Sequence, residues 1–517
     1  MIHLAIIFHM HQPYYKDILT GESGMPWVRL HGTKDYLDML QILDKFPQIQ
    51  QTINLVPSLL EQIEDYNKRK VKDKYLELSY KPAEDLTGEE KGFILENFFH
   101  INKERILSLF PRYFELYAKK QAGMEFGVQD FLDLQVLFNL AWIDPSFRQN
   151  IPELAGLVYK ARFFTEKEKQ VVLEKQLQIL KEIIPAYKKA IASDRIEVTV
   201  SPYYHPILPL LYNTNTAKEA NPKTILPKIK FSYPKDAEVQ IKDAIEFYKS
   251  RFKARPKGMW PSEESVSEHI LPYIAESGIS WIVADEEILF KSLRRKKRDT
   301  GLLYQPHYVK TDKGNLSIVF RDRNLSDLIG FEYYKWKTET AVDDFMKHME
   351  NIHRVFKDED ALVTVAMDGE NAWEFYPNDG HDFLELLYKR LSESKIVRTT
   401  TVSNYLNKFP PKYEIKRLSC GSWIYGNFGK WIGNPYKVKA WEWLAMARRE
   451  LEGAKIGGRR AALAWKQMYI LEGSDWFWWY GEDPHGGFDS LYRRHLTNFY
   501  TIIGKDIPEY LNKPLHP

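Results

Sequence analysis

Seven short apolar runs, separated by stretches of helical periodicity, constrain the fold of this chain more than any other feature. The runs lie at residues 4–8, 52–56, 196–200, 258–260, 279–284, 317–320 and 362–367. Each run is too short for a helix and suits a strand that is covered on both faces. Helical periods fill the intervals, for example at 236–252 and 340–355. This alternation predicts parallel βαβ units in an α/β fold.

Two regions depart from the alternation of strand and helix. Residues 60–190, between the second and third runs, are patterned as helices, so we expect a helical insertion within a barrel domain of residues 1–410. The strand signal then fades, and helical stretches follow at 436–451, 459–472 and 488–503. We therefore expect a helical domain at 411–517 that packs on the barrel and completes its site.

Composition excludes several classes of protein. Hydrophobic residues make up 44% and charged residues 28%, which argues against a disordered or fibrous chain. The net charge is +3 and no long basic run occurs, so no nucleic-acid partner is expected. No apolar run reaches the roughly 18 residues of a membrane span. Cys420 is the single cysteine and the first residues lack signal-peptide features, so a cytoplasmic setting is expected.

Polar residues stand at the carboxyl ends of the proposed strands, where the loops of a barrel converge on its active site. His9 and His11 follow the first run, and a period of two places both on one side, suited to a metal ion or to sugar hydroxyls. The alternative is one satisfied core histidine beside one exposed histidine. Asn54 and His205 stand at proline-marked exits, which turn chemistry alone explains nearly as well.

Acidic residues follow the fourth and seventh runs, each beside a tryptophan. The sequence reads GMWPSEES at 258–265 and VAMDGENAW at 365–373. Glycosidic cleavage with retention needs a nucleophilic carboxylate and a proton-donating carboxyl about 5–5.5 Å apart, and strand-end acids can be that close. The donor needs a raised pKa, which a neighbouring carboxylate or an aromatic wall such as Trp373 can supply. Acids at a helix start also simply complement its dipole.

Aromatic residues cluster near the end of the chain. The segment GSDWFWWYGED occupies residues 473–483, and a second glycine-and-aromatic segment lies at 421–433. One helix cannot bury every face of a continuous aromatic run, so some rings are expected to line a cleft or a contact between domains. Core packing is the alternative for any single ring. Tryptophan faces also suit stacking on sugars.

Five ordered sequence blocks resemble glycoside hydrolase family 57, above all its α-amylase and amylopullulanase-like members. The blocks are HMHQPYY at 9–15 with PWVRLH at 26–31, SPYYHPILPLL at 201–211, GMWPSEESVS at 258–267, MDGENAWEFY at 367–376 and GSDWFWWYGED at 473–483. The resemblance implies that Glu263, in a Trp-x-x-Glu pattern, is the nucleophile and that Asp368 is the general acid/base. The adjacent Glu264 is not favoured by this spacing.

The resemblance also implies an incomplete (β/α)7 barrel followed by C-terminal helices, and a retaining double-displacement mechanism without an obligatory cofactor or a metal. We expect an α-glucan substrate that is contacted by His9, His11, Asn54, His205, Trp260, Glu370, Trp373, Asp475 and Trp478. The leading hypothesis is a hydrolase of α-1,4 bonds, with α-1,6 bonds as a second candidate linkage.

Three other functions stay open from the sequence. A 4-α-glucanotransferase or a branching-type transglycosylase would use the same scaffold and the same acids. A metal-dependent polysaccharide deacetylase would use His9, His11 and an acid such as Asp285 as ligands, since three ligands and an open position suit a catalytic metal. A non-catalytic glucan-binding protein would explain the aromatic clusters but leaves the two strand-end acids without a role.

Overall fold

The fold is built on a parallel barrel, and a computed structural model describes residues 1–357, 359–482 and 487–515. All seven predicted strands occur in it. They are β1 (Ile2–Met10), β2 (Gln51–Leu55), β3 (Ile196–Thr199), β4 (Gly258–Met259), β5 (Trp281–Asp285), β6 (Gly314–Arg321) and β7 (Ala361–Asp368). Every residue of β1, β2 and β5 is buried, which explains why these strands read as continuous apolar runs rather than as alternating patterns.

The strands are hydrogen-bonded in the order β4-β5-β6-β7-β1-β2-β3. A parallel bridge between Val200 and Met259 brings β3 next to β4, so the ring is nearly closed. The contact between β6 and β7 is the thinnest, with one paired position, Arg321 against Thr364. The register of β1 on β7 places His9 beside Asp368 at the carboxyl ends. This arrangement confirms the predicted incomplete (β/α)7 barrel.

Short strands that the sequence analysis did not predict accompany the barrel. They are Glu22–Ser23, Lys72–Asp73, His307–Thr311, Val397–Thr399 and Tyr413–Glu414. The strand His307–Thr311 forms an antiparallel hairpin with β6, and Val397–Thr399 pairs with the beginning of β1.

The interval between β2 and β3 is helical, as predicted. Its helices are Pro57–Asn67, Lys74–Tyr80, Gly88–Asn97, Lys103–Ile106, Pro111–Gln121, Val128–Ala141, Pro145–Asn150, Pro152–Lys160 and Glu166–Ala192. The buried Arg29 holds these helices to the barrel: its guanidinium donates to Asp73 at 2.9 Å, to Asn139 at 2.9 Å and to Gln176 at 2.7 Å. Breaking a buried charge network of this kind is strongly destabilising.

The remaining helices cover the outside of the barrel and follow it in the chain. Around the barrel they are Trp27–Lys34, Asp38–Gln41, Leu208–Tyr212, Thr216–Ala220, Pro234–Phe252, Leu271–Glu276, Glu286–Ser292, Thr300–Leu303, Arg323–Asp327, Thr338–Val355, His381–Glu393 and Val402–Lys408. After the barrel they are Pro435–Gly453, Gly458–Leu471, Ser474–Trp479 and Gly487–Ile503. The bidentate pair of Arg448 with Asp236, at 2.7 and 3.1 Å, joins the two groups. The boundary of a separate helical domain at 410/411 stays a prediction.

None of the helices in the described ranges combines the length and the hydropathy that a membrane span requires. Asp483, the last residue of the final sequence block, lies outside the described residues.

Candidate active site

A cleft of about 2120 Å³ opens at the carboxyl ends of the strands. Both proposed catalytic acids, Glu263 and Asp368, border it. The helical insertion contributes Phe93, and the C-terminal region contributes Trp423 and Trp478. Three parts of the chain therefore enclose one cavity at the end of the barrel where active sites of this architecture lie.

Glu263 follows β4 and is held by hydrogen bonds from Trp423. The indole N–H of Trp423 donates to Oε2 of Glu263 at 2.9 Å, and the backbone N–H of Trp423 donates to the Glu263 carbonyl at 3.2 Å. Burial, and next the charge of Asp368, raise the pKa of Glu263 to about 8, while the Trp423 hydrogen bond opposes this shift. Glu263 and Asp368 border the same cleft.

Backbone geometry separates Glu263 from its neighbour Glu264. Their φ values are +58° and +49°, two consecutive left-handed residues, which is a costly conformation for side chains other than glycine. The turn leaves 13% of the Glu263 side chain exposed in the cleft, whereas Glu264 is completely buried. Burial raises the pKa of Glu264 well above its usual range, and this carboxyl is not part of the cleft lining.

Asp368 is the last residue of β7 and borders the same cleft. Burial raises its pKa, and the opposing influences are a 3.3 Å hydrogen bond from Asn371 and the charges of His11 and Arg321. A raised pKa favours the protonated form of this carboxyl, which a general acid requires.

The predicted histidines form a stack with Trp260. The ring of His9 is 4.7 Å from Trp260 and 4.9 Å from His205, and the ring of His11 is 4.0 Å from His205. Asn54 orients His9 through a contact of 2.6 Å between its Oδ1 and Nδ1 of the ring. Burial lowers the pKa of His9 to about 3, so this ring is neutral. The stack brings together all three histidines, but only His9 and His11 border the cleft.

The C-terminal helix Ser474–Trp479 reaches the same histidines. Nε2 of His11 lies 2.9 Å from Oδ1 of Asp475, and Nδ1 of His205 lies 3.0 Å from the hydroxyl of Ser474. Asp475 borders the cleft. The helix thereby fixes two histidine rings from outside the barrel.

Glu370 is a predicted substrate contact that the structure ties into a network of its own. One of its carboxylate oxygens accepts from the backbone N–H of His11 at 3.2 Å, from Gln12 at 3.2 Å and from the hydroxyl of Tyr36 at 3.3 Å. Its other oxygen has no hydrogen-bond partner among the described residues, although Glu370 borders the cleft. Burial raises the pKa of Glu370 well above its usual range.

The three predicted tryptophans occupy different positions. Trp478 borders the cleft, with the ammonium of Lys430 at 4.3 Å from its ring. Trp260 and Trp373 are buried, at 1% and 2% exposure, and stand outside the cleft lining. Trp373 donates its indole N–H to the Gly369 carbonyl at 2.9 Å and packs in the core. The raised pKa of Asp368 therefore comes from general burial, and the suggested aromatic wall of Trp373 is not part of the cleft.

The residues that sequence reasoning left unassigned include Trp423 and Arg321. Trp423 belongs to the glycine-and-aromatic segment 421–433, so a signal was present without a role attached to it. Arg321 ends β6, donates to the Ala366 carbonyl at 2.8 Å and lies 5.3 Å from the Trp423 ring.

The metal-ligand set of the deacetylase hypothesis is not brought together. Asp285 is buried, caps the helix that follows β5 with a 2.9 Å hydrogen bond to the Glu287 N–H, and is ion-paired with Arg321 and Arg323. Among the described residues, the groups able to hold a metal ion are His11, His205 and Asp475 in the cleft region, and Asp38, Asp144 and His381 elsewhere. His9 and Asp285 belong to neither group.

A nearly closed parallel barrel with two carboxyls in an aromatic-lined cleft is typical of a carbohydrate-active enzyme. The chain belongs to glycosyl hydrolase family 57, whose model matches residues 5–417.

Relatives and solved structures agree with this membership. Alpha-amylase 1 of Dictyoglomus thermophilum is 25% identical over 255 residues, which cover 48% of this chain and 31% of that protein. A 4-alpha-glucanotransferase of Thermococcus litoralis is 23% identical over 231 residues, 44% of this chain and 29% of that protein. The matches thus span about a third of the length of these curated relatives.

The whole chain superimposes on solved members. A GH57-type branching enzyme from Pyrococcus horikoshii matches with a TM-score of 0.60 and 17% identity, over 100% of this chain and 97% of that one. An alpha-amylase from Thermotoga maritima matches with a TM-score of 0.58 and 14% identity, over 99% and 95%. At these identities the structures show a shared fold.

Proposed function

We propose that this chain is a retaining enzyme that acts on α-glucans, with Glu263 as nucleophile and Asp368 as general acid/base. The observation that carries the proposal is the position of these two acids, which follow or end two strands of the barrel and border one common cleft. The charge of Asp368 also raises the pKa of Glu263. Two interacting carboxyls of this kind hold one proton between them over a range of pH, which is the state that glycoside cleavage starts from.

In the first step, the Glu263 carboxylate attacks the anomeric carbon while Asp368 transfers its proton to the departing glycosidic oxygen. The C–O bond to the leaving saccharide breaks as the bond to Glu263 forms. In the second step, Asp368 takes a proton from water, and the oxygen of that water attacks the anomeric carbon. The bond between this carbon and Glu263 breaks, and the sugar leaves with its original configuration. The expected products are shorter α-glucans with new reducing ends.

The preferred activity within this class is hydrolysis of α-1,4 bonds, as in an α-amylase, with α-1,6 bonds as in an amylopullulanase as a second linkage. Relatives named alpha-amylase support this choice. The cytoplasmic setting expected from the single, buried Cys420 belongs to the same proposal.

Transglycosylation, by a 4-α-glucanotransferase or a branching enzyme, is the second candidate. The size of the cleft favours it, because 2120 Å³ is more than a single small-molecule site of about 300–1,000 Å³ needs. Such a cleft has room for a donor saccharide and for an acceptor whose hydroxyl replaces water in the second step.

Product analysis after incubation with amylose, pullulan and maltotriose separates these activities. Hydrolysis gives new reducing ends in proportion to bonds cleaved, whereas transfer converts maltotriose into longer and shorter chains with no net gain of reducing ends. Glu263→Gln serves as the matched inactive control. Full activity of that variant on all three substrates would refute the proposal.

A further inference from the structure

A second cavity, of about 550 Å³, lies on the outside of the barrel. It shares no described lining residue with the active-site cleft. Its walls come mainly from two helices, Pro234–Phe252 and Gly458–Leu471, one from the barrel and one from the C-terminal region. Its volume falls in the range of about 300–1,000 Å³ that is usual for sites of small organic ligands.

One wall is an aromatic surface that the fold holds in place. Trp465 and Tyr469 are four residues apart on one helix, so they share a face, and their ring centroids are 5.6 Å apart. The guanidinium of Arg448 lies 4.6 Å from the Trp465 ring, and Asp236 fixes that guanidinium with two hydrogen bonds. The indole is therefore oriented before any ligand arrives, which lowers the entropic cost of binding.

The cavity also presents polar groups that no part of the described chain uses. Asp243 is exposed and Tyr469 is half-buried. Neither the Asp243 carboxylate nor the Tyr469 hydroxyl has a hydrogen-bond partner among the described residues, so both are open to a ligand. Glu61, in the same cavity, shows the opposite situation, since it accepts from Tyr203 at 2.8 Å, from Tyr14 at 2.9 Å and from Lys466. The unused acceptor and hydroxyl face the cavity next to the aromatic wall.

We propose that this cavity is an accessory saccharide-binding site. The apolar face of a pyranose would pack on Trp465 while its hydroxyls donate to Asp243 and bond to Tyr469, the pairing of ring face and directed hydrogen bonds that sugar sites use. The choice of an α-glucan as the ligand rests on the proposed function. The site binds a part of the polymer that does not react and so raises affinity for long chains by a second point of attachment.

Affinity electrophoresis in gels that contain soluble amylose tests the proposal without any need for turnover. Trp465→Ala and Asp243→Ala are the variants, and Asp243→Ala removes no ion pair or hydrogen bond within residues 1–357, 359–482 and 487–515. Tyr159→Ala, which removes a tyrosine that is 93% exposed, is the control for non-specific aromatic contact. Each cavity variant is expected to weaken amylose binding about threefold to tenfold, and the control to leave it unchanged.

Kinetics on maltotriose and on amylose give the second readout. The cavity variants are expected to keep wild-type kcat/KM on maltotriose and to show a lower kcat/KM on amylose, because a short substrate occupies only the cleft. The accessory site would be overturned if amylose retarded both cavity variants as strongly as the wild type, or if the variants lost equal fractions of kcat/KM on maltotriose and on amylose. If amylose retards the wild type but not Trp465→Ala, and the wild type is inactive on every glucan, the accessory site is supported and the proposed function is refuted.

Discussion

Trp423 donates its indole N–H to Glu263 across 160 residues of sequence, at 2.9 Å. The donor comes from the segment that follows the barrel, and the acceptor follows β4. The proposed nucleophile is thus oriented by a part of the chain that contributes no barrel strand, and the site is complete only when that segment packs on the barrel.

Removal of this hydrogen bond in Trp423→Phe is expected to lower kcat by about 10- to 100-fold, since a hydrogen bond to a charged group contributes about 1.5–3 kcal/mol. The lost donor also raises the pKa of Glu263 further, so the alkaline limb of the pH–rate profile moves to higher pH. Trp336→Phe, a change at an exposed tryptophan outside the cleft lining, is the control. A Trp423→Phe enzyme with wild-type kcat and profile would contradict the assigned role.

The pH dependence of kcat/KM is expected to be bell-shaped with its alkaline limb at about 8, where the Glu263–Asp368 pair loses its last proton. Above that limb no carboxyl can protonate the leaving oxygen, and below the acidic limb the nucleophile is neutral. Asp368→Asn removes the neighbouring charge and lowers the pKa of Glu263. A wild-type rate that stays constant well above pH 8 would show that the pair does not supply the proton.

Glu263→Gln is expected to stabilise the fold while it abolishes activity. The folded-state pKa of Glu263 is raised to about 8, so its unfolded form releases a proton at lower pH than its folded form. The free energy of unfolding of the wild type therefore falls as pH rises from about 4.5 to 8. Glu263→Gln lacks this titration, so at pH 8 it is expected to be more stable than the wild type by up to ~4 kcal/mol. Denaturant unfolding at several pH values measures this, with exposed Glu125→Gln as control. An identical pH dependence of the free energy of unfolding for wild type and Glu263→Gln would contradict the raised pKa of Glu263.

The contact between His11 and Asp475 is expected to act as a unit. Asp475→Ala and His11→Ala should each lower kcat/KM about tenfold or more, because each leaves a partly buried polar partner without this contact. The double variant should lose little beyond either single variant, as coupled residues do. Fully additive losses would show that the two side chains contribute independently.

The barrel was accessible to sequence reasoning because its strands are buried on both faces. Continuous apolar runs such as that of β1 therefore mark them, and all seven were confirmed. The hairpin strand His307–Thr311 was missed because it alternates more buried and less buried residues and so contains no continuous apolar run. The acids at the strand ends were recognisable once the strands were located, because the carboxyl ends of barrel strands lie at the active-site end of the barrel.

The contacts within the site were not predictable in the same way. Trp373 follows Asp368 by five residues, yet its indole turns into the core and bonds to Gly369. The position of Trp373 in the loop after Asp368 does not predict where its side chain points. The residue that donates to Glu263, Trp423, lies 160 residues further along the chain. The hydrogen bond from Tyr36 to Glu370 spans 334 residues, and no local pattern encodes such a pair.

Trapping of the covalent intermediate tests the central claim most directly. An activated fluorinated maltooligosaccharide, whose second step is slow, is incubated with the enzyme, and peptide mass spectrometry locates the attached sugar. The account predicts attachment to Glu263 and its loss in Glu263→Gln. Attachment to Glu264, Glu370 or any other carboxylate, or turnover without a covalent intermediate, would contradict it.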